Sequence, residues 1–211
     1  IEKFQSITGI DERKYVSGEV KSSDLAAIAA KKAIKDSNIN QETLDYIIVA
    51  HNFGDISCDS SQIDTLPSLS SRVKTILKIK NPKCVAYDII CGCPGWVEGV
   101  IQAKSFIKSG MANKCLVIGS DTLSRVTDDN DRDSMIYADG SGAIILESND
   151  SDDSGILSHN SATYTFEGEN EFIYYGSSYN PKLSKDSNQK YIKMQGRKVY
   201  EFALTNVPAA M

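Results

Sequence analysis

The chain has 211 residues, 41% of them hydrophobic and 24% charged, with a formal net charge of −5. That is enough chain to bury a real core in a globular protein, and the acidic balance argues against nucleic acid as the main partner, since phosphate binding needs clustered Lys and Arg. No apolar run approaches the ~20 residues of a membrane span, so a membrane partner is not expected either.

Cysteines stand at 58, 84, 91, 93 and 115. They are odd in number and include no CxxC pair, which speaks against a disulfide framework and against a zinc site. Cys91 and Cys93 form a CxC that in principle suits a metal or a redox pair, but no metal is expected. A reducing cytoplasm is the simplest setting. The chain opens on Ile1 with neither an initiator Met nor a signal peptide, and reads as beginning inside a longer protein.

In chain order, Ser22-Ser23-Asp24 offers N-cap chemistry before an amphipathic helix carrying Leu25, Ile28, Ala29 and Ala33, closed near Asn38. The run 46–50 is continuously apolar, as a strand buried on both faces is. A long polar loop follows over 51–66, and Pro67 opens a second helix with Leu69, Val73 and Ile76. Residues 84–87 read as another strand and about 94–109 as a third helix, with Gly110 at its C′ position. Further strands are expected at 115–119 and 143–146, the latter entered through Asp139-Gly140-Ser141-Gly142. Alternating helices and buried strands imply an α/β layered fold with a mixed, mostly parallel sheet.

The polar, acidic stretch 149–154 reads as a boundary between a unit over 1–150 and a remainder over 151–211. In that remainder, 156–159 suits a strand and 168–190 a surface excursion with no clean period. A helical pattern over 195–210 is interrupted at Pro208.

The densest stretch chemically is Tyr87-Asp88-Ile89-Ile90-Cys91-Gly92-Cys93-Pro94-Gly95-Trp96. Strand, small-residue turn and helix follow one another, with Pro94 suited to a first helical position. Cys93 is thereby expected at or next to the N-cap, where the positive end of the helix dipole favours a thiolate. The local pattern equally fits a small buried thiol at a strand end.

Together, Cys93-Pro94-Gly95-Trp96, Gly119-Ser120-Asp121, Asp131-Arg132 and Tyr137-Ala138-Asp139-Gly140-Ser141-Gly142-Ala143 resemble the β-ketoacyl-ACP synthase III family of the thiolase superfamily. Thr8-Gly9-Ile10-Asp11-Glu12-Arg13 is similar to its TGIxxR segment, and Met194-Gln195-Gly196-Arg197-Lys198-Val199-Tyr200 to the start of its second half.

The resemblance implies a layered αβαβα fold, of which this chain holds the first half and the opening of the second. It implies an acyltransferase of fatty-acid initiation or a related pathway, in which Cys93 takes an acyl group from acyl-CoA and the acyl-enzyme condenses with decarboxylating malonyl-ACP. Substrate-binding roles fall on Arg132, Leu66 and Trp96. Arg132 corresponds to an arginine for the CoA nucleotide, Leu66 to a residue that reaches a partner subunit's acyl pocket, and the Cys93 amide to an oxyanion donor.

Acyl-CoA and acyl carrier protein are the implied partners, with a homodimer in the whole protein and no cofactor. The family's catalytic His and Asn belong to the second half; neither His51 nor His159 sits in such a motif. The Trp and Arg that clamp adenine align with Lys3 and Ile7, which leaves acyl-ACP open as the donor. Other thiolase-fold synthases, of polyketide or hydroxymethylglutaryl-CoA type, and a non-catalytic subunit are the alternatives. The acidic run 128–133 is read as a solvated turn.

Overall fold

A computed structural model describes residues 2–59, 62–149, 155–182 and 189–211. The boundary stretch expected at 149–154 lies, from 150 onward, outside the described residues, as do Ser60, Ser61 and residues 183–188. Contacts group into two compact units, between which the chain passes four times. One contains Tyr15–Thr122 and Asp139–Leu157; the other contains Ile1–Lys14, Leu123–Ala138 and Ser158–Met211.

The first unit is built on a four-stranded sheet. Its strands are β1 (Tyr46–His51), β2 (Val85–Ile90), β3 (Lys114–Thr122) and β4 (Asp139–Glu147), in spatial order β2-β1-β3-β4. β1 is central and parallel to both neighbours, with Tyr46 opposite Val85 on one side and Cys115 on the other. β4 closes one edge antiparallel to β3. Ile47 through His51 are all buried, which is why this run shows no polar alternation.

Successive residues still serve opposite faces. Ile47 and Val49 join Ala26, Ala30, Leu69 and Val73 in one core cluster, beneath helices α2 (Ser22–Ser37) and α3 (Leu69–Ile76). Ile48 joins Cys115, Val117 and Ala103 in the other, beneath α4 (Gly95–Lys108). Helices on both faces of the sheet are what alternation of the two patterns predicts.

Several local expectations shift. α2 starts at Ser22 with Lys21 as N-cap, because Ser22 and Ser23 turn inward. Ser23 gives its N–H and hydroxyl to buried Asp55, and Ser22 pairs with Ser120. Asn38 closes α2 in the left-handed region at φ 52°, and Gly110 follows α4 at φ 76°. Asp139-Gly140-Ser141-Gly142 is no entry loop: β3 continues to Thr122, so the ladder pairs these residues as the start of β4. No strand forms at 156–159.

The second unit carries α1 (Glu2–Thr8), a hairpin-like pair of antiparallel strands β5 (Ile173–Gly176) and β6 (Tyr191–Met194), and α5 (Gly196–Ala210). Neither α1 nor β5 was legible as an element. Pro208 does not break α5, since in the last turn it removes only its own N–H from the ladder. No helix of the described residues is long and apolar enough to cross a membrane.

Candidate active site

β2 delivers the chain to Cys91, and a tight turn follows in which the Gly95 N–H donates to the Gly92 carbonyl at 2.9 Å. Cys93 and Pro94 are its central residues. Pro94 is the N-cap rather than the first helical residue, although its φ of −73° and ψ of −8° are already helical. Its carbonyl accepts the Glu98 N–H at 3.1 Å. Cys93 is therefore next to the N-cap and exposed, the second of the two placements expected. The first-turn N–H groups of a helix have no intrahelical partner and form its positive end. A nucleophile and an oxyanion both gain from that position.

Two glycines let α4 come so close. A Cβ on Gly95 would fall 3.3 Å from the Ala50 Cβ and 3.4 Å from the Cys91 Cβ; one on Gly99 would fall 2.9 Å from the Val117 Cγ1. Trp96 then lies across Gly119 of β3, whose absent side chain would sit 3.3 Å from the Trp96 Cβ. Half-buried Trp96 thus packs with the α4-side core, a placement its expected substrate-binding role did not anticipate.

Polar pairs at the carboxyl ends of the strands hold the turn's surroundings. Asp121 accepts the Asn52 backbone N–H at 3.0 Å and its side-chain amide at 2.6 Å. Burial pushes the Asp121 carboxyl above the ordinary aspartate range in spite of those bonds. The Asn52 Oδ1 lies 3.9 Å from where a Cβ on Gly92 would be, beside the cysteine turn.

His51 is fully enclosed. Its Nδ1 accepts the Gly54 N–H at 3.0 Å, so its Nε2 carries the hydrogen and donates to Asp88 at 3.0 Å. Asp88 also accepts the Leu69 and Ser70 N–H groups at the start of α3. Burial raises the Asp88 carboxyl, but these donors outweigh it and hold it below the usual range. His51 is thus a structural histidine, and His159 is an exposed residue of the other unit.

Leu66 is 85% exposed at the end of the long loop. Arg72 of α3 fixes that loop, reaching Asp55 and Asp64 at 2.7 Å each and the Leu66 and Pro67 carbonyls at 2.9 Å. Among the described residues, Glu19, Cys58 and Asp59 bring three donor atoms within 4.8 Å, all on the surface, and no such group includes Cys91 or Cys93.

Arg132 belongs to the second unit. It is the first residue of a 3-10 turn, Arg132–Ile136, and its side chain is 88% exposed, with its Nε 3.3 Å from Asp133. The surrounding acidic run is not a solvated turn. Asp128 and Asp131 are buried, and the Lys193 Nζ from β6 lies 2.6 Å from one and 3.2 Å from the other. Asp128 also accepts the Tyr179 N–H and the Ser178 hydroxyl. A run of alternating carboxylates looks solvated until its counter-ion arrives from 65 residues away.

The profile of the 3-oxoacyl-[acyl-carrier-protein (ACP)] synthase III family matches residues 87–165, from the strand before the cysteine turn to beyond Arg132. The beta-ketoacyl-[acyl-carrier-protein] synthase III of Streptococcus gordonii is 35% identical over 207 residues, which is 98% of this chain and 60% of that protein. Over nearly its whole length the chain is similar to the β-ketoacyl-ACP synthase III family. The crystal structure of 3-oxoacyl-[acyl-carrier-protein] synthase III from Aquifex aeolicus VF5 superposes with a TM-score of 0.73 at 30% identity, covering 94% of this chain and 57% of that one. The priming beta-ketosynthase of the R1128 polyketide pathway reaches a TM-score of 0.80 at 20% identity, over 99% of this chain and 59% of that one, a likeness of fold alone. The synthase III fold is thus the α/β, thiolase-like arrangement expected. The chain spans about 60% of the length of the synthase III relatives it matches.

Proposed function

We propose that the protein of which this chain is part is a β-ketoacyl-ACP synthase III-type acyltransferase with Cys93 as nucleophile. The observation that carries the reading is the exposed Cys93 thiol beside the N-terminus of α4, inside the stretch 87–165 that the family profile matches. In the first step the Cys93 sulfur attacks the thioester carbonyl of acyl-CoA. A new carbon–sulfur bond forms and the CoA thiolate departs. The Cys93 amide is the proposed donor to the oxyanion, reinforced by the helix end.

In the second step malonyl-ACP loses CO2, and its carbanion displaces the Cys93 thiolate from the acyl group to give a β-ketoacyl-ACP. The groups that assist decarboxylation belong to the part of the family that this chain does not span. Thioester chemistry of this kind asks for no cofactor.

Arg132 is the proposed contact for the nucleotide of CoA, since its exposed guanidinium offers a planar fork of donors. Leu66, 85% exposed, is proposed to reach the acyl pocket of a partner subunit, and Trp96 to border the acyl site through its place in the first turn of α4. A homodimer is supported by β2, an edge strand whose end residues Val85 and Ile90 are both exposed. A cytoplasmic setting agrees with five cysteines that form no disulfide. The experiment that tests the reading is acyl transfer from acyl-CoA to the complete enzyme, followed by addition of malonyl-ACP. β-Ketoacyl-ACP must form with the wild type and not with Cys93→Ala.

A further inference from the structure

We infer that Lys193 is a positioning residue for the acyl donor: it holds the turn that presents Arg132. The inference rests on the proposed contact between Arg132 and the donor nucleotide. All of its parts lie within the second unit.

Arg132 can serve a phosphate or an adenine only if its backbone is fixed, because a long exposed side chain on a loose turn loses conformational freedom on binding. Three contacts fix it, and all come from the short segment of β6 and the start of α5. The Ile192 N–H donates to the Val126 carbonyl at 2.8 Å and anchors the strand to the beginning of the loop. The Lys193 Nζ binds Asp128 and Asp131, and its charge also stands 3.7 Å from the centre of the Tyr179 ring. Gly196 passes so close to Asp133 that a Cβ there would be 3.2 Å from its Oδ2.

Asp131 is the link between the ammonium and the arginine. One of its oxygens accepts the Asp133 N–H at 3.0 Å and caps the 3-10 turn, while the other meets Lys193. Arg132 is the residue between those two aspartates. Lys193 is 2% exposed, so it cannot itself touch a donor in solvent; it acts through Asp131.

Lys193, just before the Met194–Tyr200 stretch that resembles the opening of a second half, thereby acquires a role in donor binding.

The test uses the complete enzyme, with the acyl-CoA that acylates Cys93 fastest and the pantetheine thioester of the same acyl group, which lacks the nucleotide. Lys193→Met should raise KM for acyl-CoA about tenfold with kcat within about twofold of wild type. Its kinetics with acyl-pantetheine should match those of wild type. Arg132→Ala should show the same split, and the Arg132→Ala, Lys193→Met double variant should be no worse than Arg132→Ala alone.

An unchanged KM in Lys193→Met, an equal loss with acyl-pantetheine, or additive losses in the double variant would overturn the inference. If Lys193→Met does not fold, Asp131→Asn keeps an acceptor for the Asp133 N–H but removes the charge. It should raise KM for acyl-CoA by about threefold, and no rise overturns the inference. An Arg132→Ala variant with unaltered KM for acyl-CoA removes both the nucleotide contact and the inference built on it. An effect of Arg132 without one of Lys193 removes the inference alone.

Discussion

Asn52 gives both its backbone N–H and its side-chain amide to the carboxylate of Asp121, across 69 residues of sequence and between the ends of β1 and β3. The pair sits next to the turn that carries Cys93, and it is half-buried. Removing the amide leaves the carboxylate short of a donor in a site that already disfavours its charge. Asn52→Ala is expected to cost about 1–3 kcal/mol of stability at neutral pH.

The sign of its pH dependence follows from Asp121. Burial places the folded pKa above that of the unfolded chain, and loss of the amide raises it further. The penalty of Asn52→Ala therefore grows as pH rises from below the ordinary aspartate value toward neutrality. Denaturant midpoints of both proteins at about pH 4 and pH 7 check this, and a penalty that shrinks with rising pH contradicts it.

Gly99 offers a second test, because its two consequences oppose. Alanine is the better helix former by about 1 kcal/mol in a helix interior. Its Cβ would, however, stand 2.9 Å from a stiff valine on the sheet, and overpacking of that kind costs about 1–3 kcal/mol. Gly99→Ala should be destabilised by about 1 kcal/mol and should acylate Cys93 more slowly as α4 lifts. Thermal melts with acylation rates decide it; a more stable variant would mean that the sheet yields instead.

The cysteines differ enough to be told apart chemically. Burial raises the Cys84 thiol above its ordinary range and pushes Cys115 up to about 12, whereas Cys93 and Cys58 are exposed. Iodoacetamide at about pH 8 is expected to label Cys93 and Cys58 on the native protein and to leave Cys84 and Cys115 unmodified until it is unfolded. Peptide mass mapping reads the pattern. Prior incubation with acyl-CoA should protect Cys93 and not Cys58.

How much of this was legible depended on distance along the chain. Residues 46–50 read correctly because a strand buried on both faces needs nothing but apolar side chains. The proline after Cys93 and the glycine after it marked the turn and helix start to within one residue. Asn38 and Gly110 announced helix ends through their own backbone preferences.

Lys193 could not be read, because a lone lysine in a four-residue strand looks exposed until two aspartates fold over it. The Asn52–Asp121 pair was hidden likewise, although Gly119-Ser120-Asp121 stood out as a motif before it had a physical reason. β5 escaped because a four-residue strand rich in Tyr has no period of its own; β6 supplies its register.

Acid should act first on the second unit. Burial raises the Asp128 carboxyl, but bonds from Lys193, the Tyr179 N–H and Asn130 outweigh it and hold its pKa well below 3.8. Such a group contributes stability that is fully present above its unfolded pKa and is lost as pH falls through the window beneath it. Amide exchange at Ile192 and Lys193 should accelerate, beyond the intrinsic pH effect, as pH is lowered from about 5 to 3. In Asp128→Asn that extra acceleration should vanish; its persistence would assign the acid sensitivity to another carboxylate.

The most direct measurement is the intact mass of the complete enzyme after brief incubation with acyl-CoA and without malonyl-ACP. One acyl group should add per chain, on the peptide that carries Cys93, and none should add to Cys93→Ala. An unmodified wild type, or an adduct that survives in Cys93→Ala, would contradict the assignment of Cys93 as the acyl-accepting nucleophile.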